Sequence, residues 1–238
     1  TEPGKARDGY LQVFEKGFVK DYPLTIQHRN GGLTHVSYNA SVFKDIEGKV
    51  TGVFAAARDI TEIKKAQDIT NLQNWLKTGY ARLSNVMAGN TDITSFASVV
   101  ITEACKYLDA KIGALYILSK ENGSVEYLLS GSYAYTKRKN LSNKFKPGES
   151  LVGQAVLEKQ QILLKNVPED YIRITSGLGE TIPRFICITP VIHENEVTAV
   201  LEIGTLEEMT DIKLAFLKEC TVSIAITLAT LMSREDLD

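Results

Sequence analysis

The chain has 238 residues, of which 44% are hydrophobic, so it can fill the cores of one or two globular domains. Its 29 acidic and 27 basic residues give a formal net charge of −2, which excludes a global field strong enough to attract nucleic acid or an anionic membrane. No run of apolar residues approaches the roughly 18 that a membrane-spanning helix needs, so we expect no membrane segment in this chain.

The first sixty residues predict one helix followed by three strands. Gly17 is the expected end of the helix. Asn30-Gly31-Gly32 predicts a hairpin turn because its residues tolerate positive φ, and Gly48 suits a second turn. The predicted elements are a helix over 2–18 and strands over 22–29, 33–44 and 50–58.

A strand and a helix meet within residues 50–65, VTGVFAAARDITEIKK. Val53, Phe54 and the alanines that follow indicate a packed strand. Asp59 precedes Glu62 by three residues, which is the spacing of a capping box with Asp59 at the helix N-cap. A helix joined directly to a strand must move with the sheet, which favours a signalling role over catalysis.

The segment Arg58-Asp59-Ile60-Thr61 after a hydrophobic strand resembles the closing signature of PAS domains. The hairpin at 28–32 resembles the basic-Asp-Gly hairpin of the same family, with Asn30 in place of the acidic residue. The resemblance implies that residues 1–60 are the C-terminal part of a PAS domain. It also implies that four residues couple the sheet to the helix: Arg58, Asp59, Thr61 and Glu62.

The first strands of a PAS domain are missing from this chain. Three strands and one helix form a marginal core. In the PAS fold the last strand pairs with the first, so the strand over 50–58 is expected to have an open edge. We expect this edge and the apolar face beside it to be covered by a partner chain or to be loosely ordered.

Residues 61–88 predict one long helix, roughly 40 Å at 1.5 Å per residue, that ends at Gly89. Its apolar residues recur at heptad spacing, and Gly79 interrupts one position, as in a bundle that is not locked. Packing on its own domain and packing against a second chain are both open. The stripe comprises Ile69, Leu72, Leu76, Leu83 and Val86.

The remaining sequence alternates between helical and strand patterns. Asp92 is the expected N-cap of an amphipathic helix, and the segment 112–118 is apolar on both faces, as in a central strand. Pro147-Gly148 turns the chain into a short helix. Further strands are predicted over 125–135, 162–167, 184–193 and 197–206, and a final helix over 211–234.

This order of elements, together with PGESLVGQAVLEKQQILLKNV at 147–167, resembles a GAF domain over about residues 75–234. The segments 168–173 and 176–180 are similar to GAF domains of bacterial hybrid sensor histidine kinases. The two resemblances imply an α+β fold with a partial PAS antiparallel sheet, a connecting helix, and a GAF domain with a central antiparallel sheet flanked by helices. The implied domains are a PAS part over 1–60, a signalling helix over 61–88, a GAF core over 89–210 and a C-terminal helix and output linker over 211–238.

The final helix is apolar nearly all round, so it must be buried nearly all round. One sheet covers only one of its faces. We expect it to pack against the 61–88 helix and the same pair of helices from a second chain, giving a parallel four-helix bundle; a monomer is the alternative. The predicted dimer residues are Ile69, Leu72, Leu76, Leu83, Leu217, Ile224, Leu228 and Leu231.

A loop at 176–179, Ser-Gly-Leu-Gly, corresponds to the loop that covers the ligand face in GAF folds. If a small molecule binds, it is expected between this loop and the sheet, although the same residues can simply fill a core. The predicted lining comprises Tyr133, Tyr135, Val152, Tyr171, Ile174, Phe185 and Cys187.

The charged and metal-ligating residues predict no cofactor. A basic loop is expected to be solvated, with an anionic ligand or acidic partner as the alternative; it comprises Lys137, Arg138, Lys139, Lys144 and Lys146. The three histidines do not lie at ligand spacing from a cysteine, so no metal site is expected. Cys105, Cys187 and Cys220 are interpreted as buried free thiols.

The PAS and GAF resemblances together imply a non-catalytic sensory and signal-relay module of a bacterial two-component sensor histidine kinase. We expect it in the cytoplasm, with a kinase domain downstream in the parent chain and no nucleic-acid partner; membrane anchoring elsewhere in the parent is left open. The sequence lacks a phospho-acceptor histidine box and an ATP-binding loop. The alternatives are a GAF receptor for a nucleotide or metabolite and a GAF-type methionine sulfoxide reductase.

Overall fold

The computed structural model describes residues 3–120, 123–134, 143–168, 174–176 and 179–235. It is a mixed α and β structure with antiparallel sheets, which confirms the predicted fold class. The contacts divide the chain into two compact units, Thr1–Asn74 and Trp75–Asp238.

The first unit contains one helix, three strands and the start of a second helix. The antiparallel sheet has the order β1-β2-β3, and the predicted hairpin is closed by Gly31, which has a φ of 85°. β1 begins before the predicted residue 22 because a bulge between Val19 and Tyr22 interrupts the strand pattern. The elements are α1 (Pro3–Lys16), β1 (Phe18–Gln27), β2 (Leu33–Lys44), β3 (Val50–Asp59) and α2 (Thr61–Met87).

α1 covers one face of this sheet, where Val13 packs against Val19 and Ala40. The interpretation of β3 as a packed strand is wrong, because every residue of β3 is exposed, including Val53 and Phe54. α1 lies against β1 and β2, so the edge strand β3 remains beyond its reach.

The second unit is built on a six-stranded antiparallel sheet with the order β6-β5-β4-β11-β10-β7, and β8 and β9 form a separate hairpin. Its elements after α2 are α3 (Ile93–Leu108), β4 (Ile112–Ser119), β5 (Glu126–Tyr133), β6 (Lys144–Phe145), α4 (Ser150–Glu158), β7 (Ile162–Lys165), β8 (Ile174–Ser176), β9 (Gly179–Thr181), β10 (Phe185–His193), β11 (Glu196–Thr205) and α5 (Asp211–Glu235).

Two hydrophobic clusters fill the second unit, one on each face of the sheet. Residues of α3, α5 and the end of α2 form the larger cluster, which we call the helix-layer cluster. Residues of α4 form the smaller one with the opposite sheet face, which we call the α4 cluster. Asp92 caps α3 as predicted, because its Oδ1 accepts a hydrogen bond of 2.8 Å from the Ser95 N–H.

Among the residues with described placement, α5 alone is long and apolar enough, by length and composition, to cross a membrane. A count of consecutive apolar residues misses this because threonines and serines interrupt the run. The buried residues of α5, among them Phe216 and Leu228, belong to the helix-layer cluster. This packing against the sheet is that of a core helix.

Gly79 is a point of close packing, which corrects its interpretation as a loose position in the heptad stripe. A Cβ atom there would lie 2.4 Å from Cε1 of Tyr107 and 2.6 Å from Cε2 of Phe216. Only glycine lets the rings of α3 and α5 approach the α2 backbone this closely.

Gly79→Ala is therefore expected to destabilise the second unit, although alanine is the better helix former. The added methyl must displace two aromatic rings, so we expect the free energy of unfolding to fall by roughly 1–2 kcal/mol. The chain has a single tryptophan, Trp75, whose fluorescence during urea unfolding reports on this cluster.

The matched control is Ala81→Leu, which adds a larger side chain on an exposed part of the same helix. It should leave the unfolding midpoint unchanged. An unchanged or raised midpoint for Gly79→Ala would contradict the close packing.

Candidate functional site

The junction between β3 and α2 is held by the backbone of the middle strand β2. The Ile60 N–H donates to the His35 carbonyl at 2.8 Å, and the His35 N–H donates to Thr61 Oγ1 at 3.0 Å. Ile60 in turn accepts the first helical bond, from the Lys64 N–H. The start of α2 is therefore bonded to both backbone groups of one residue in β2.

The predicted capping box is wrong in its geometry, although Asp59 does contact the helix start. Ile60 occupies the N-cap, and Asp59 Oδ1 accepts a hydrogen bond of 2.8 Å from the Thr61 N–H. Glu62 Oε1 forms an ion pair with Lys65 Nζ at 2.9 Å, whereas a capping box requires it to accept from the backbone N–H of the N-cap residue. Hydrogen bonds from Thr61 lower the pKa of Asp59. Arg58 is exposed on β3, opposite Ser37.

The C-terminal half of α2 packs into the second unit through an aromatic cluster. The ring of Phe216 lies 5.5 Å from Trp75, 5.4 Å from Tyr80 and 5.2 Å from Tyr107, measured between centroids. The Tyr107 hydroxyl donates to the Trp75 carbonyl, which binds α3 to the α2 backbone.

Two polar contacts fix α2 further. The Tyr80 hydroxyl donates to Glu219 of α5 at 2.5 Å, and the Arg82 guanidinium contacts Glu103 of α3 at 2.7 Å. Burial and the hydrogen bond to Glu219 raise the pKa of Tyr80, so its hydroxyl remains a donor at neutral pH. α2 is thus fixed to β2 at its first turn and to α3 and α5 along its second half.

The predicted pocket residues do not form one lining in the structure. Val152 lies in the α4 cluster, whereas Cys187, Tyr133 and Phe185 belong to the helix-layer cluster on the opposite sheet face. Successive residues of a strand point to opposite faces, and the sequence pattern did not reveal which face α4 covers. Ile174 is half-buried in β8. Tyr135 and Tyr171 lie outside the described residues.

The α4 face carries a polar pair that the sequence interpretation missed. The Tyr116 hydroxyl donates to Glu202 at 3.2 Å, and the Tyr116 ring meets Phe145 edge to face at 5.2 Å. Glu202 lies on the interior strand β11 and is half-buried. A lone charge within the apolar stretch 197–204 is the signal that could have revealed it.

Gly148 and Gly153, before and within α4, are required by a close turn of the backbone. The Gly148 N–H donates to the Gly153 carbonyl at 2.8 Å, and Gly148 has a φ of 81°. A Cβ atom on Gly153 would lie 2.2 Å from the Lys146 carbonyl oxygen.

In the basic loop, Lys144 pairs with Glu126 at 2.9 Å. Lys137, Arg138 and Lys139 lie outside the described residues.

Most of the predicted dimer residues are buried within the second unit and are unavailable to a second chain. Leu83, Leu217, Ile224, Leu228 and Leu231 are at most 3% exposed, since α5 turns its apolar stripe toward the sheet and α3. Ile69 and Leu72 are exposed on α2, and Leu76 is half-buried. On α5 the exposed apolar residues are instead Val222 and Ile226.

The second unit has two clefts among its described residues. A cleft of about 440 Å³ is lined by Asn166, Val167 and residues 180–184, and one of about 320 Å³ lies beside Ile93 and Met232. Within the described ranges, no group of three or more His, Cys, Asp or Glu could hold a metal ion.

All three cysteines are free and buried. Burial raises the pKa of Cys105 to about 12, of Cys187 to about 11 and of Cys220 to about 12. A thiol with such a pKa is almost entirely protonated near neutral pH, and the thiolate is the reactive form.

The GAF domain family model matches residues 90–229, more than half of the chain. A comparison with curated proteins gives no match. Among solved structures, the GAF domain of a phosphoenolpyruvate-protein phosphotransferase from Coxiella burnetii is 21% identical with a TM-score of 0.57, covering 70% of this chain and 99% of that one.

The GAF domain of the Acinetobacter phosphoenolpyruvate-protein phosphotransferase is 15% identical with a TM-score of 0.54. The match covers 66% of this chain and 93% of that one. A free methionine-R-sulfoxide reductase from Neisseria meningitidis, solved with its substrate, is 13% identical with a TM-score of 0.53. The match covers 67% of this chain and 91% of the reductase. These identities show a shared fold alone.

Thr61→Val is expected to loosen the β2–α2 junction, because the His35 N–H loses its acceptor while the side-chain shape is kept. The net loss of one such bond is roughly 1 kcal/mol, so the exchange of the His35 amide hydrogen should accelerate about fivefold by NMR. Thr61→Ser retains the hydroxyl and is the control. Equal exchange in both variants would rule out the role given to Thr61.

The native protein is expected to leave all three thiols unmodified by Ellman's reagent at pH 8, because burial keeps them protonated and inaccessible. After unfolding in guanidinium, three thiols per chain should react, which serves as the internal control. Rapid modification of any thiol in the native protein would contradict their assignment as inert core residues.

Proposed function

The chain belongs to the GAF domain family through residues 90–229, and from this premise we propose that it is a sensory and signal-relay module of a bacterial two-component sensor histidine kinase. In this proposal the module is non-catalytic, and its output is a conformational change carried by helices. The supporting observation is α2 itself, one helix that starts on the β2 backbone and ends among the aromatic rings of α3 and α5.

The first unit serves as the PAS part of the relay in this proposal. Its helix followed by three antiparallel strands, and its last strand passing into α2 within two residues, fit the C-terminal portion of such a domain. Because Ile60 and Thr61 are bonded to His35, a displacement of β2 is expected to displace the first turn of α2.

The second unit receives the displacement in its helix layer. A relay requires two packings that differ by only a few kcal/mol, so that a modest binding energy at either domain can switch between them. The Tyr80–Glu219 and Arg82–Glu103 contacts lie on the outer part of this layer, where polar contacts can break and re-form while Gly79 keeps α2 in register.

The partner in the proposed relay is a second copy of the chain. Residues 62–74 of α2 are exposed throughout, and an isolated helix of this length is marginal in water. Pairing through Ile69 and Leu72 would cover apolar residues that this part of α2 leaves exposed. A cytoplasmic location and a kinase domain downstream in the parent belong to the same proposal.

A reductase function is disfavoured for this chain. The fold is shared with free methionine-R-sulfoxide reductases, but such chemistry needs a reactive thiolate. Cys105, Cys187 and Cys220 are all buried with raised pKa values.

A small-molecule receptor is the second candidate, and the Tyr116–Glu202 pair on the α4 face favours it. The pair places a hydroxyl and a carboxylate within the otherwise apolar α4 cluster, and a few polar groups among apolar residues are typical of small-molecule sites. Native mass spectrometry of the purified chain tests this candidate. A retained mass above 26.3 kDa per chain would support a receptor, and the bare mass would count against it.

The relay is tested by hydrogen exchange of the full chain with Thr61→Val. Loosening the first turn of α2 should change the exchange of residues 75–87 and of α5 as well as that of the first unit. Thr61→Ser is the control. If the change stays within residues 1–74, α2 does not couple the two units.

The pairing of α2 is tested by light scattering of the Ile69→Lys, Leu72→Lys double variant. Charges on both residues should shift the molar mass from twice 26.3 kDa toward the single chain. Gln73→Lys, on an exposed position of the same helix, is the control and should stay dimeric. A dimer that tolerates both lysines would contradict pairing through this stripe.

A further inference from the structure

The face of the β1–β2–β3 sheet that α1 does not cover carries three exposed aromatic rings. Val19, Ala40 and Tyr38 point toward α1, so the residues between them in the strands point the other way. Phe18, Phe43 and Phe54 lie on this second face, and they are 61%, 69% and 73% exposed. Singly exposed aromatic residues are ordinary, but three on one small face are not.

The strand register gives this patch a definite shape. Phe18 and Phe54 lie on either side of Ser41, which pairs with both in one row across the sheet. Phe43 lies one row further and pairs with Gly52, which offers no side chain beside it. The patch, which we call the phenylalanine patch, comprises Phe18, Ser41, Phe43, Gly52 and Phe54.

A hollow and a projection therefore stand side by side. Ser41 forms the floor of a hollow whose walls are the two rings of its row. The ring of Phe43 projects next to that hollow, with open space over Gly52. Row neighbours are about 5 Å apart, so the two walls stand about 10 Å apart and one ring fits between them.

We infer that the phenylalanine patch binds the same patch of a second copy of this chain, with Phe43 of each copy seated over Ser41 of the other. A two-fold contact requires that a surface be complementary to itself, so that each copy supplies both members of every contact. The patch meets that requirement, because its projecting ring and its hollow lie next to each other on one face.

The available area suits such a contact. A fully buried aromatic side chain removes about 150–250 Å² from water, so at these exposures the three rings leave roughly 300–500 Å² of apolar surface per copy. Two copies bury about twice that area from the rings alone. The backbone and small side chains between the rings bring the total toward the roughly 1,200 Å² at which specific interfaces begin.

The chemistry of the patch argues against a charged partner. None of its five residues is ionisable. The ionisable groups that the structure places on this face, among them Asp21, His35 and Arg58, lie in the rows nearer α2, where Asp21 bonds to two polar residues of β2. Face-to-face packing of two sheets through interdigitating apolar side chains is a common arrangement.

The inference is tested by sedimentation equilibrium of the full chain and three single variants. Phe43→Ser removes the projection, and the dimer dissociation constant should rise at least tenfold, as for a central aromatic anchor. Ser41→Trp fills the hollow, and dimerisation should weaken although the surface becomes more apolar. Ile46→Ser removes an apolar residue that is even more exposed than Phe43 from the β2–β3 turn, and it should leave the dissociation constant unchanged.

Any of four results would overturn the inference. A chain that is monomeric at all concentrations, or a dimer that Phe43→Ser leaves intact, would exclude the patch as the interface. Stronger association of Ser41→Trp, or weakening by Ile46→Ser, would indicate non-specific apolar contact. All sites are on the surface, and unchanged circular dichroism confirms that each variant is folded.

The helix stripe and the patch are separable in the same experiment. The Ile69→Lys, Leu72→Lys variant changes α2 only, so its behaviour reports on the proposed relay. A dimer that is lost in Phe43→Ser and kept in the helix variant supports the patch and contradicts pairing through α2. The reverse result contradicts the patch alone.

Discussion

The packing of the helix layer depends on the missing side chain at Gly79. Because the rings of Tyr107 and Phe216 occupy the place of a Cβ atom, the α2 backbone lies directly against α3 and α5. This contact fixes the register of α2, since a shift by one turn would bring a larger residue to the same point. The hydrogen bonds from Tyr107 and Tyr80 are then aligned with their acceptors.

Local signals were read correctly from the sequence where they are set by backbone chemistry. Gly31 and Asp92 determine a turn and a cap through groups within a few residues, and both have the expected geometry. The apolar stripe of α5 was also recognised. The partner of this stripe cannot be predicted from periodicity, which identifies a buried face but not what covers it. In the structure Leu217 and Leu228 lie in the protomer's own core.

The candidate site was predicted less well, for a reason that lies in strand geometry. The sequence predicts one pocket that contains Val152 and Cys187, but the two residues lie in clusters on opposite faces of the sheet. A single residue of offset reverses the face of a strand residue, and the sequence alone does not fix which face each helix covers. Glu202 is detectable as the single charge within residues 197–204, whereas only the fold brings Tyr116 near it.

The exposed first half of α2 has an evolutionary consequence. Residues 62–74 belong to neither hydrophobic cluster of the second unit nor to that of the first. Whole pairs of turns can be gained or lost there without disturbing any core, provided that the angular phase of the helix is kept. Gene recombination at this segment could therefore attach the same C-terminal domain to different N-terminal modules, with length polymorphism expected in steps of seven.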